Sequence, residues 1–154
     1  MAVETNAALD VSHVRLLRDR QVIDRLDELR HLRALSIAGA SQVDLARHLG
    51  ISQPSINKAL KRAMAVRDVL DGFSGATPFE IAQRYAAGLI SRDQLIDELG
   101  RFPYVPFSVV SRPGLTATVP GTAREILDAL DAGLIDDDTY DAIQDSIDLQ
   151  QGRA

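Results

Sequence analysis

The chain has no cysteine. That excludes disulfides, thiolate catalysis and any cysteine-based zinc site. It has no apolar run near the roughly 20 residues that a membrane-spanning helix needs. The opening MAVETNAALD is acidic and polar and lacks the basic-then-apolar order of a secretory signal. A cytoplasmic location is therefore expected, with no membrane partner. No P-loop, GxSxG or dinucleotide fingerprint is present. His13, His31 and His48 are 18 and 17 residues apart, far from metal-ligand spacing on one helix. Asp136-Asp137-Asp138 lacks the Gly and distal Glu of a calcium loop. Acids at a helix start are favoured by the dipole, so this run reads as capping. The expectation is no catalytic residue, no cofactor and no metal, and hence no enzyme.

Positive charge is in the minority, with 17 Lys and Arg against 22 Asp and Glu and a formal net charge of −5. It is also segregated. Residues 10–70 hold 11 basic and 7 acidic side chains, and residues 71–154 hold 6 and 14. Glu4 completes the balance: +4 − 8 − 1 gives −5. An acidic chain with a basic first half is not barred from nucleic acid. At 154 residues it suits one domain or two small ones.

Residues 11–38 contain neither Pro nor Gly. Val22 and Ile23, then Leu26, Leu29, Leu32 and Leu35, predict an amphipathic helix, with a break allowed at the apolar-free RDRQ of 18–21. Ser41 is then a predicted N-cap, and Val43, Leu45, Ala46 and Leu49 give helical spacing up to Gly50, which suits the left-handed position past a helix end. Ser52 caps the next helix, with Pro54 in its first turn. Ile56, Ala59, Leu60, Ala63 and Met64 continue an apolar face that could reach Leu70.

The second half is punctuated regularly. Thr77-Pro78-Phe79-Glu80, Ser91-Arg92-Asp93-Gln94 and Thr122-Ala123-Arg124-Glu125 read as capping boxes. Gly88, Gly100 and Gly133 read as the corresponding stops, and Asp136 caps a last helix reaching about Gln150. EIAQRYAAGLISRDQLIDEL (80–99) and EILDALDAGLIDDDTYDAIQ (125–144) align without gaps at an offset of 45. Each is a predicted helical hairpin turning at Ala-Gly-Leu-Ile, and the pair should pack together or with a second chain. Between them lies FPYVPFSVVSRPGLTATVPGT, with four prolines and a Pro113-Gly114 turn signal. It is either a short β-hairpin or an ordered loop.

ASQVDLARHLGISQPSINKALKRA (40–63) thus reads as two short helices around a glycine turn. Ala46 supplies the small residue at their contact, and Leu45, Leu49, Ile51 and Ile56 are the expected apolar plugs. The stretch from Gln42 to Lys61 resembles the helix-turn-helix of bacterial and phage transcriptional regulators, over about 30 residues when the preceding helix is counted. The Gly-Leu-Ile turns loosely resemble helical hairpins used for oligomerisation. Two core helices of an ordinary all-α domain would share this shape. The surface residues separate the two readings: no acid occurs from 45 to 67, where a solvated helix usually mixes in Glu or Asp.

The resemblance implies a DNA-contacting set of Gln42, Ser52, Gln53, Pro54, Ser55, Asn57, Lys58, Lys61 and Arg62. The second helix would enter the major groove N-terminus first. Gln53 and Asn57 can each pair with adenine N6 and N7, and Lys58 can reach guanine or a phosphate. Pro54 and Ser55 would lie near the backbone or a thymine methyl. Lys61, Arg62 and Gln42 suit phosphates, with Arg47 a weaker candidate.

The expected fold is mostly α. A DNA-binding head over 1–71 has a long first helix. An acidic region over 72–154 carries two hairpins and most of the self-association. The expected function is a sequence-specific regulator, a repressor binding an inverted repeat of double-stranded DNA as a homodimer. One alternative is an antitoxin-like protein whose acidic half neutralises a basic partner and whose head autoregulates. Another is an architectural protein binding DNA without sequence preference.

Overall fold

The computed structural model describes residues 2–106 and 119–152, with side chains from Val11 onward. Among these residues there are seven helices and no strand. They are α1 (Ala2–Ile37), α2 (Gln42–Leu49), α3 (Gln53–Ala65), α4 (Pro78–Ala86), α5 (Arg92–Arg101), α6 (Arg124–Asp131) and α7 (Asp137–Gln150). None is long and apolar enough to cross a membrane. The β-hairpin expected between the repeats falls on 107–118, outside the described residues; Val105 N–H donates to the Gly121 carbonyl across its flanks at 2.8 Å.

Two compact units form, Gln21–Asp68 and Met1–Arg20 with Val69–Ala154. The first twenty residues cluster with Val69–Ala154 rather than with Gln21–Asp68. Helix α1 also runs unbroken through RDRQ. Three of those four residues are good helix formers and none is Gly or Pro, so no local term favours a break.

In the unit Gln21–Asp68, Leu29 and Leu32 of α1 pack with Ala59 and Ala63 of α3. Leu45 and Ala46 of α2 pack with the fully buried Ile56 of α3. Helix α3 stops at Ala65, short of the expected Leu70. Val66 is extended, and the carbonyls of Ala63 and Val66 are taken by the Arg33 guanidinium. Arg33 also pairs with Asp68, and Arg30 donates to the Arg67 carbonyl at 2.9 Å. Two arginines of α1 thereby end α3.

In the other unit the repeat is structural as well as sequential. Gly88 and Gly133 turn their hairpins at φ 73° and 70°, where only glycine is free of Cβ strain. Leu89 N–H donates to Arg84 O, and Leu134 N–H donates to Ala129 O, both at 2.9 Å. Ser91 Oγ and Asp136 Oδ1, 45 positions apart, each accept the amide three residues on. The hairpins pack on each other, α4 against α6 and α5 against α7. Ile81, Leu95, Leu99, Ile126 and Ile143 are fully buried between them. Arg15 of α1 donates to the carbonyls of Ala132 and Gly133 at 2.9 and 3.2 Å, capping the end of α6.

Two expected signals act differently. Gly100 does not end its helix: α5 continues to Arg101, with Gly100 buried. It is small because α7 passes there. The third capping box also does not close. Ala123 begins α6 without a side-chain cap, while the Glu125 carboxylate accepts the Gly121 amide. Its counterpart Glu80 accepts the Ala76 amide at 2.9 Å, while Thr77 Oγ1 caps α4.

Candidate nucleic-acid interface

Gly50 sits at φ 65° and closes α2 with two bonds, Gly50 N–H to Arg47 O and Ile51 N–H to Ala46 O. This is the left-handed closure anticipated for it. Ser41 Oγ accepts the Asp44 amide at 3.1 Å, and Ser52 Oγ accepts the Ser55 amide at 3.2 Å. With both helix starts and the intervening turn held, the exposed face of α3 has a defined orientation relative to α2. Of the four expected plugs, Leu45 and Ile56 are buried, but Leu49 and Ile51 are exposed. Leu49 instead lines the open space between α1 and α2, with Leu32, Leu35 and Leu45. Val43 and Met64 are exposed as well.

On α3, Ile56, Ala59 and Ala63 face the core, with Leu60 half-buried. The other arc carries Gln53, Asn57 and Lys61 in one row four residues apart. Pro54, Lys58 and Arg62 form the adjacent row. All six are exposed. Gln42, the first residue of α2, is half-buried and joins Gln53, Pro54 and Asn57 in lining a shallow concavity of about 270 Å³. The structure therefore gathers those four on one surface.

Ser52 and Ser55 are exposed, and their hydroxyls bond each other at 2.8 Å. Their first task is to start α3. Arg47 is exposed but paired with Asp44 of its own helix, which makes it a poorer phosphate ligand than Lys61 or Arg62. The surface has amide donors and acceptors where α3 begins and three cations along its length, chemistry suited to base edges and phosphates.

Sequence reasoning missed a buried polar set elsewhere. Glu80 and Arg84 pair at 3.0 Å with side chains 6% and 11% exposed. Glu98 is also buried and accepts from Ser74 N–H, Ser74 Oγ–H and Gln94 Nε2–H. The repeat held the signal: at an offset of 45, Arg84 and Glu98 stand where the second copy has the buried Ala129 and Ile143. Their contacts fasten the 74–76 loop to the first hairpin. Among the described residues no group of three His, Asp or Glu gathers as a metal-ligand set.

No family model, no curated protein and no solved structure matches the chain.

Proposed function

We propose that this chain is a sequence-specific DNA-binding regulator, a binding protein rather than an enzyme, whose α2 and α3 act as a helix-turn-helix. The observation that carries this reading is the exposed arc of α3. Gln53, Asn57, Lys58, Lys61 and Arg62 share it, no acid occurs between 45 and 67, and Gln42 meets Gln53 and Asn57 at its start.

In this reading α3 enters the major groove by its N-terminus. Gln53 and Asn57 present paired amide donors and acceptors to adenine edges. Pro54 offers an apolar edge to a thymine methyl. Lys58 reaches guanine or a phosphate, while Lys61, Arg62 and Gln42 hold the backbone. Ser52 and Ser55 fix the start of α3 and stand close to the phosphates it approaches. One head of this size reads only a few base pairs, so the working form is two copies on an inverted repeat, acting as a repressor by occupancy.

The antitoxin-like reading draws on a separate observation: Asp137, Asp138, Asp141, Asp145 and Asp148 are all exposed on α7, a surface for a basic protein. Selection of bound duplexes from a random pool tests the main reading. Enrichment of an inverted repeat supports it. Binding without any enriched sequence supports an architectural role instead.

A further inference from the structure

Both glycine turns of the repeat meet one face of α1. Leu16 lies against Gly88, and the Arg15 guanidinium lies against Gly133. Ser12 and Asp19 share that face, at helical spacings of three and four residues. All of these residues belong to one unit, Met1–Arg20 with Val69–Ala154. Between them is an open cleft of about 240 Å³. Ser12, Arg15 and Asp19 are its polar wall, and Leu16, Ala86 and Leu134 its apolar wall.

The two charges in this wall are left in different states. Arg15 is drawn toward α6, where its Nη2 gives both bonds to the Ala132 and Gly133 carbonyls. A guanidinium has five N–H donors, so those on Nη1 and Nε are left, and neutral carbonyls leave the positive charge whole. Asp19, four residues further along, is thereby deprived of its helical ion-pair partner. Among the described residues its half-buried carboxylate has no hydrogen bond and no ion pair. A carboxylate partly withdrawn from water without a partner is costly.

We propose that this cleft binds a small aliphatic α-amino acid as its zwitterion. The ammonium pairs with Asp19, the carboxylate takes the remaining Arg15 donors, and the side chain rests on Leu16, Ala86 and Leu134. The charges select this class. A simple anion is repelled by Asp19 and a simple amine by Arg15, whereas an amino acid carries both charges on one carbon. The volume selects the size, because drug-sized ligands occupy roughly 300 Å³ or more. The cleft shares no residue with the concavity of Gln42, Gln53, Pro54 and Asn57. Helix α1 nevertheless runs on as one helix to Ile37, and its Leu29 and Leu32 pack with α3. If the DNA reading above is right, the amino acid is an effector held by the helix that also supports α3. Binding itself does not rest on that reading.

Calorimetric titration of the full-length chain with single L-amino acids, without DNA, tests it. L-Valine should bind saturably with a Kd of roughly 10 μM to 1 mM, the range open to a ligand of so few atoms. Isobutylamine and isovalerate, which keep one charge each, should bind about tenfold more weakly or worse. Asp19→Asn removes a charge but no contact within the chain, and should weaken L-valine by about tenfold or more. Ala86→Leu fills the apolar wall and should abolish binding. Backbone amide NMR shifts on adding L-valine should cluster at 12–19, 86–89 and 132–134. No binding of any aliphatic amino acid at about 10 mM, above the weakest expected Kd, would overturn the proposal. So would isobutylamine binding as tightly as L-valine, an Asp19→Asn variant that binds as wild type does, or shifts centred elsewhere. Should Ala86→Leu fail to fold by circular dichroism, Asp19→Asn and the shift map decide. Failure here leaves base reading intact, because no step involves DNA.

Discussion

Gly100 of α5 lies directly against Ser146 of α7: a methyl group at Gly100 would meet the Ser146 Cβ at 3.0 Å and its hydroxyl closer still. The contact sets how near the two hairpins approach. Gly100→Ala would gain up to about 1 kcal/mol of helix propensity. Overpacking against α7 costs about 1–3 kcal/mol, so the net change should be destabilising. Urea unfolding measures it, and Ser146→Gly in the same chain should restore most of the loss.

The Glu80–Arg84 pair makes a second prediction. Its carboxylate also accepts the Ala76 amide. Glu80→Ala removes both partners from a buried site and should cost about 3–5 kcal/mol. Arg84→Ala, which places in the first hairpin the residue the second has at 129, should cost less than Glu80→Ala. Equal losses would assign the cost to the ion pair and none to the loop amide.

Asp136 gives the acid dependence. Hydrogen bonds from Thr139, side chain first and then backbone, hold its carboxyl below the ordinary carboxylate range, and Arg92 adds to this. A folded-state value below the unfolded one gives stability present above pH about 4 and lost as pH falls through the folded value. Asp136→Asn keeps a capping oxygen but cannot ionise. Its melting temperature should therefore fall less steeply than wild type between pH about 5 and 2. Parallel slopes would remove Asp136 from the acid response.

Much of this fold was legible because helix ends are written locally. Ser41, Ser52, Thr77, Ser91 and Asp136 cap the helices that they were expected to cap. Gly50, Gly88 and Gly133 turn the chain where expected. What escaped depends on distant neighbours. Gly100 looks like a stop until α7 lies beside it. Thr122 gives α6 no side-chain cap, although Glu125 takes the Gly121 amide just as Glu80 takes the Ala76 amide beside the working cap Thr77. Leu49 and Ile51 fit an apolar period, yet both are exposed. For the candidate interface, the sequence named the residues of the α3 arc, and the fold added that Gln42 adjoins Gln53 and Asn57. The first twenty residues carry no local mark of which unit they join.

The phosphate side of the proposed function predicts a salt effect. Lys61 and Arg62 are exposed and lie past the first turn of α3. Lys61→Ala or Arg62→Ala should weaken selected and random duplexes alike and shallow the slope of log affinity against log salt by roughly one unit. Titrations at several salt concentrations measure it. An unchanged slope would separate these cations from the backbone.

The central claim is that Gln53 and Asn57 read bases. The most direct measurement compares wild type, Gln53→Ala and Asn57→Ala on the duplex enriched by selection and on a random duplex of equal length, at one salt concentration. Each substitution should cost about 1–3 kcal/mol on the selected duplex and little on the random one. Equal losses on both duplexes would make these residues backbone contacts and contradict the account of a sequence-specific regulator.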